Sequence, residues 1–305
     1  MARWTSPVVT PGFAFTELVA SWNTVTPPGS WVEVSAVVVC DDGRRSAPYI
    51  LGRWAMDGET ITRTSVPAQG DELASVVVDV LIASGKRRLV GWQLTVALHR
   101  LQGTELTPEV DLVAAMVSAL PDRRPALPVR SPAIGSGVVL DVPSFSQELH
   151  VGRYPHLTGG GESWCSPAAK AMVVAYFGAR PAAADYSWVD PSYDDPRVVH
   201  AAAHVFDAGY GAGNWPFGCA YAGELGLRAF VTRLRSLDEA ETLVAAGVPV
   251  VASVSFADDE LTGAGYATEG HLVVIVGFTD AGDVIVYVIR PPDVALPPPP
   301  TQVNW

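Results

Sequence analysis

The three cysteines and six histidines of this chain are the side chains best suited to nucleophilic or metal chemistry. One cysteine stands apart. Cys165 lies in GGGESWCSPAAKAM, immediately ahead of Ser166-Pro167 and an apolar run of helical period. A thiol at a helix N-terminus faces unpaired backbone N–H groups and the positive end of the helix dipole, and both favour the thiolate. The dipole contributes about 0.3–1 kcal/mol, up to about 2 when partly buried, so an imidazole must help hold the charged sulfur at neutral pH. His271 is the candidate, because it follows Gly270 and opens the strand-like run HLVVIVGF. His99, His150, His156, His200 and His204 read as strand-end, loop or helix residues. The i, i+4 pair His200 and His204 has no third ligand of the right type nearby. Gln147, in VPSFSQELH, can give an amide hydrogen to a developing oxyanion beside the Cys165 N–H, although a lone glutamine is no signal.

Cys40 and Cys219 sit in apolar runs and read as core. The cysteines form no CxxC and have no histidine at zinc-like spacing, so no metal is expected. No cofactor is expected either: there is no GxGxxG in a βαβ setting and no GxxxxGK(S/T).

The elements that must carry these residues fall into two groups. Residues 14–120 read as an all-β accessory domain, a sandwich or jelly roll. Apolar runs at Trp31 to Cys40, Tyr49 to Trp54, Leu73 to Ile82, Leu89 to Leu101 and Val110 to Leu120 are separated by turn sequences such as DDGRRS and MDGET. Residues 121–138 are a Pro-rich linker. Residues 139–290 read as an α+β domain, with helices first and a sheet after. Its first helix has Ser166 as N-cap, Pro167 in the first helical position and Gly178 as the stop. Further helices cover Asp195 to Ala208 and Ser236 to Ala246, the latter opened by a capping box at Ser236-Leu-Asp-Glu. Strands cover Val248 to Phe256, His271 to Phe278 and Asp283 to Ile289. The Gly159–Gly161 run lets backbone approach the site without a Cβ in the way. Residues 291–305 read as an irregular Pro-rich tail.

Composition bounds the partners. The 305 residues, 49% apolar and 17% charged, can bury cores for two domains. A net charge of −12 argues against nucleic acid or an anionic membrane surface. No apolar run reaches the roughly 18 residues that span a bilayer, and the first residues lack the pattern of a secretory signal. The chain is expected to be soluble, with cytoplasm and secretion both open. Trp22, Trp31, Trp54 and Trp92 allow a sugar-stacking platform, but core is the better reading for most of them. Glu162, Trp164, Trp215 and Tyr266 are cleft-lining candidates with the same core alternative.

Gln147, Cys165 and His271 occur in the order used by the papain superfamily. Together with VPSFSQ, GGGESWCSPAAKAMVVAYFG, NWPFGCAYAGELGL, AGVPVVASVSF and GYATEGHLVVIVGFTDAGDVIV, the second domain resembles the bacteriocin-processing, double-glycine type of cysteine peptidase. The likeness is to its stand-alone, C39-like actinobacterial form. The β unit resembles the module that precedes this domain in some actinobacterial proteins. The resemblance implies a papain-like fold, Cys165 as nucleophile, His271 as general base, Gln147 as oxyanion donor and a peptide or protein substrate.

It also implies an Asn-Asp-Pro whose aspartate orients the imidazole. If Thr279–Gly282 is the hairpin loop, Phe278 pairs with Asp283 and His271 faces Arg290. The aspartate then aligns with position 288, which is Val288. Asp293, behind two prolines, is a poor substitute. Either the tail is authentic and the site is a Cys–His dyad, or a reading-frame change has replaced the end of the domain, which the abrupt loss of likeness favours. Loss of the terminal strand is expected to leave a sheet edge open. Removing the carboxylate from a serine triad costs about 10⁴ in kcat, and a cysteine depends less on its base. The expectation is a cysteine peptidase with impaired turnover. The alternatives are a catalytically degenerate peptide- or glycan-binding protein, meeting cell-wall glycan through its N-terminal domain, and an acyl or peptidyl transferase.

Overall fold

The computed structural model describes residues 1–66, 68–119, 137–193, 195–258, 260, 266–287 and 301–303. Two compact units emerge: Met1–Arg124 with His204–Arg233, and Pro125–Ala203 with Leu234–Trp305.

The first unit is sheet-rich. Its strands are β1 (Ala2–Thr5), β2 (Glu17–Val25), β3 (Ser30–Cys40), β4 (Tyr49–Trp54), β5 (Ala74–Val77), β6 (Val80–Ala83), β7 (Leu89–Arg100) and β8 (Glu109–Ser118). They make two antiparallel four-stranded sheets, ordered β1-β7-β3-β4 and β5-β6-β2-β8. The alternation in WVEVSAVVV is realised in β3, which is buried and half-buried by turns along its length. The run from Leu73 to Ile82, read as one strand, is a hairpin: Val77 pairs with Val80, and Val78 turns the chain at φ 57°.

Strand β2 has no such alternation because nearly every residue in it is buried, including Ser21, Asn23 and Thr24. The side chains of Ser21 and Asn23 are matched by backbone of the chain's later part, whereas Thr24 Oγ1 is buried with no partner among the described residues. Asn23 Nδ2 donates to the carbonyls of Cys219 (3.0 Å) and Ala229 (2.8 Å), its Oδ1 accepts from the Ala229 N–H (3.0 Å), and Ser21 Oγ accepts from the Val231 N–H (3.2 Å). The helix among those partners completes the unit's core: Phe217 is fully buried against Trp22 and Trp54, themselves fully buried. A sugar platform on Trp22 or Trp54 is therefore ruled out, whereas Trp31 is half-buried and stacks on His99 (4.9 Å, 7°).

Helices are α1 (Cys165–Tyr176), α2 (Pro196–Val205), α3 (Trp215–Glu224) and α4 (Leu237–Ala245). Helix α3 was not foreseen. Its sequence WPFGCAYAGE has two glycines and no polar stripe, because residues Pro216 to Gly223 are all buried. Asn214 caps it, accepting from the Phe217 N–H at 3.0 Å. At α4, Ser236 occupies the N-cap position but its side chain makes no cap bond. The expected box does not close, because Glu239 turns to Arg235 and accepts from its N–H (2.7 Å) and Nε (2.8 Å).

The second unit combines helices with a smaller sheet, β12-β11-β10-β9, made of β9 (Val250–Phe256), β10 (Thr268–Phe278), β11 (Val284–Tyr287) and β12 (Thr301–Val303). Both α1 and α4 pack against β10 and β9. Ala240 and Val244 of α4 cluster with Val273, Ile275, Phe278, Val284 and Val286. The hairpin differs from the expected one by a residue. Phe278 pairs with Val284, because the Thr279 N–H bonds the Asp283 carbonyl (2.9 Å) and Thr279 Oγ1 accepts from the Asp283 N–H (3.0 Å). Gly282 supplies the left-handed residue at φ 89°. An irregularity between Ile275 and Gly277 then brings Val274 opposite Tyr287.

Position 288, Asp293 and most of the linker read over 121–138 lie outside the described residues. The chain end, read as irregular, carries β12, which pairs with β11 from Val284↔Val303 to Val286↔Thr301. The edge expected to stay open is thereby covered, since unpaired backbone groups of an edge strand are a template for any β-branched segment in reach. Among the described residues no helix is long and apolar enough to cross a membrane.

Candidate active site

Cys165 is the first residue of α1, two positions deeper than the capping pattern implies. The 3-10 turn Gly161–Ser163 runs almost directly into the helix, so the chain is already helical at Cys165 and Trp164 becomes the N-cap. Ser166 is inside the helix, fully buried, and accepts a hydrogen bond from Lys170 Nζ. Gly178 ends the helix as expected, at φ 71°. Pro167, third in the helix, has no N–H to leave unpaired, and the Cys165 N–H has no acceptor among the described residues. A half-buried thiol therefore lies beside a backbone donor that has no acceptor among the described residues.

Two glycines set the backbone beneath it. A Cβ on Gly161 would lie 2.1 Å from the Gln147 carbonyl oxygen and 2.6 Å from the Val151 nitrogen. One on Gly160 (φ 88°) would lie 2.2 Å from the Arg153 carbonyl oxygen, whereas Gly159 meets nothing and contributes only its φ of 75°. Only glycine permits this approach of the segment bearing Gln147 to the turn leading into Cys165. Gly161→Ala is expected to destabilise the protein by about 1–3 kcal/mol and to detach Gln147 from that turn, read by thermal unfolding and by the Gln147 side-chain amide resonance.

Gln147 is buried and tethered to the cysteine's approach. Its Nε2 donates to the Glu162 carbonyl (3.2 Å) and to Glu148 Oε1 (3.2 Å), while Oε1 is buried with no partner among the described residues. Both amide hydrogens are engaged. One is held by a backbone carbonyl and the other by a side chain.

His271 is carried by β10, opposite Val254. Thr268 pairs with Phe256, so three residues of β10 are spent against two of β9 immediately before the histidine. This bulge at Glu269-Gly270 is closed by Thr268 Oγ1, which accepts from the Gly270 N–H (3.2 Å) and donates to the Gly270 carbonyl (3.1 Å). Bulges re-aim side chains, and they recur beside active sites for that reason. The imidazole is 8% exposed, and its Nε2 is buried without a hydrogen-bond partner among the described residues. No hydrogen bond joins it to Cys165. Burial alone lowers its pKa to about 4.

That depression has a sign that can be measured. Between about pH 4 and the ordinary histidine value near 6.5, the unfolded chain binds a proton here that the folded chain does not. Stability is thus fully present above about pH 6.5 and is lost as pH falls toward 4, by up to about 3 kcal/mol. Denaturant unfolding across this window should show the loss, and His271→Gln should flatten it.

Around the histidine lie groups that the sequence only half signalled. The Tyr266 ring meets His271 edge-on at 6.0 Å and Phe256 does so at 6.5 Å. The Tyr266 phenol is pushed up to about 12, first by burial and then by the charges of Cys165 and Glu148. Tyr266 thus contacts the histidine and feels the cysteine. The other cleft candidates differ: Trp164 is fully buried, with Nε1 donating to the Leu157 carbonyl (2.9 Å), Glu162 is exposed, and Trp215 belongs to the first unit. The remaining histidines have aromatic neighbours: His150 packs on Trp164, His156 on Tyr154, His200 on Tyr186 and His204 on Tyr221. Among the described residues, convergent metal-type ligand atoms occur at Cys40, Asp41 and Asp42, where Asp42 is already paired with Arg44 at 2.8 Å.

Residues 1–118 match the family described as Peptidase C39 N-terminal domain, and residues 139–291 match the Peptidase_C39 like family. No curated protein and no solved structure matches the chain. The second match takes in Gln147, Cys165 and His271 and extends over half of the sequence, and the chain belongs to the Peptidase_C39 like family.

Proposed function

We propose that this protein is a cysteine peptidase acting on peptide bonds through an acyl-enzyme at Cys165. The observation that carries the reading is the cysteine's place: first in a helix, its N–H without an acceptor among the described residues, with that helix packed on the strand that bears His271. Neutral His271 takes the thiol proton, and the sulfur attacks the carbonyl carbon. The Cys165 N–H and the Gln147 amide, once released from Glu148, hold the oxyanion. The imidazolium returns its proton to the leaving amine, and water then cleaves the thioester. A papain-like arrangement of the second unit and a sandwich arrangement of the two N-terminal sheets belong to the same proposal.

Magnitudes favour slow turnover. Burial opposes the imidazolium by about 3 kcal/mol, while a thiolate brought to about 4 Å would return about 4 kcal/mol at an effective dielectric near 20. The two nearly cancel, so no large reservoir of ion pair accumulates. Position 288, where an orienting aspartate is implied by the family resemblance, is a valine. A peptidyl epoxide tests the reading: it should form an adduct at Cys165 in the full chain and none in His271→Ala. Peptide binding without adduct or cleavage would instead establish a degenerate binding protein. The glycan contact considered for the N-terminal unit would then centre on the half-buried Trp31–His99 pair.

A further inference from the structure

His271 lacks the hydrogen-bonded partner that fixes a catalytic imidazole, since among the described residues its buried Nε2 has none. Two aromatic rings hold it instead. Phe256, last in β9, and Tyr266, two residues before β10, each meet the imidazole edge-to-face, with interplanar angles of 89° and 85°. They also pack on each other, with centroids 5.4 Å apart. Phe256 pairs with Thr268 on one side of the bulge and Val254 pairs with His271 on the other, so the bulge separates the Phe256 pairing from that of the histidine. An edge-to-face contact contributes about 0.5–1.5 kcal/mol beyond area burial, enough to bias a ring that has only two side-chain torsions.

We propose that Tyr266, with Phe256, is the positioning group for His271 and holds its imidazole toward Cys165 in place of a carboxylate. The role falls on the ring of Tyr266, because its hydroxyl makes no hydrogen bond among the described residues. A clamp of this kind fixes the plane of the imidazole but supplies no negative charge. That agrees with a histidine whose proton affinity is lowered by burial with nothing to restore it. The charges acting on Tyr266 itself are those of Cys165, at the start of α1, and Glu148. Using the clamp for peptide cleavage rests on the peptidase reading; detecting it does not.

The test is the rate of Cys165 alkylation by iodoacetamide in the full chain between pH 4 and 9, followed by peptide mass spectrometry. Cys40 and Cys219 are poor references because burial alone slows them, so the comparison is among variants. His271→Ala should lower the rate near pH 7 and leave a single thiol titration. Tyr266→Ala should move at least about tenfold toward that profile, and Tyr266→Phe should restore the wild-type rate and curve. If Tyr266→Ala does not fold, as judged by circular dichroism, Tyr266→Leu replaces it. Wild-type alkylation in Tyr266→Ala or Tyr266→Leu, with His271→Ala impaired, overturns the clamp alone, as does a Tyr266→Phe variant no better than alanine. A His271→Ala variant that alkylates like wild type overturns the clamp and the peptidase reading together.

Discussion

Phe217→Ala is expected to destabilise the N-terminal unit by about 3–5 kcal/mol, the largest stability effect of any single change considered. The ring is fully buried between two indoles, 6.2 Å from that of Trp22 and 5.4 Å from that of Trp54. The walls cannot collapse to fill the space. A Cβ on Gly52 would already lie 2.9 Å from Phe217 Cε1 and 3.0 Å from Trp22, so that glycine exists to admit the ring. Helix α3 is equally tight at its other end, where a Cβ on Gly223 would lie 2.8 Å from the Asn23 backbone. Glu224 adds a polar clasp, accepting from the Thr26 N–H (3.0 Å), from Thr26 Oγ1 and from Trp54 Nε1 (3.0 Å). Near-UV circular dichroism of the tryptophans during a thermal melt would report the loss. The family match assigns α3 to the peptidase segment, yet its bed is β2. A chain begun at residue 139 should therefore fail to give a soluble, cooperatively folding protein. A well-behaved fragment of that kind would refute the account of α3.

Cys165→Ala should remove peptide cleavage by about 10⁴-fold or more, the scale on which loss of a nucleophile is felt. His271→Ala should cost about 10²–10⁴-fold, as expected for a general base. Neither loss should come from unfolding in the cysteine variant. Cys165 is half-buried at the first position of a helix, and alanine is the better helix former. Its melting curve should thus overlay that of the parent. Cleavage that survives in Cys165→Ala would assign the activity to another residue or a contaminant.

What could be read from the sequence tracks how local the physics is. The helix after Cys165 and the strand after His271 were legible because their period and punctuation are contained within a dozen residues. The exact cap was not, because a preceding 3-10 turn made Cys165 helical before Ser166 could serve. Strand β2 was missed because Ser21 and Asn23 look wrong for a strand interior until their partners, Cys219, Ala229 and Val231, are known. Helix α3 was missed for the complementary reason: an element buried all round has no polar face to give a period. In the site, Gln147, Cys165 and His271 were named from chain order, whereas the engagement of the Gln147 amide by Glu148 and the rings around His271 depend on pairings no spacing rule encodes. Tyr266 was seen but could not be told from core, and it is half of each: buried enough to perturb its phenol, yet against the imidazole.

The return of residues 204–233 to the first unit has a consequence for inheritance and for synthesis. On the ribosome, the N-terminal sheets must wait with an open indole slot until α3 emerges, long after their own strands are translated. A recombination event that cuts between residues 121 and 138 would separate the slot from the helix that fills it. Lineages should therefore exchange these two modules as a pair or not at all.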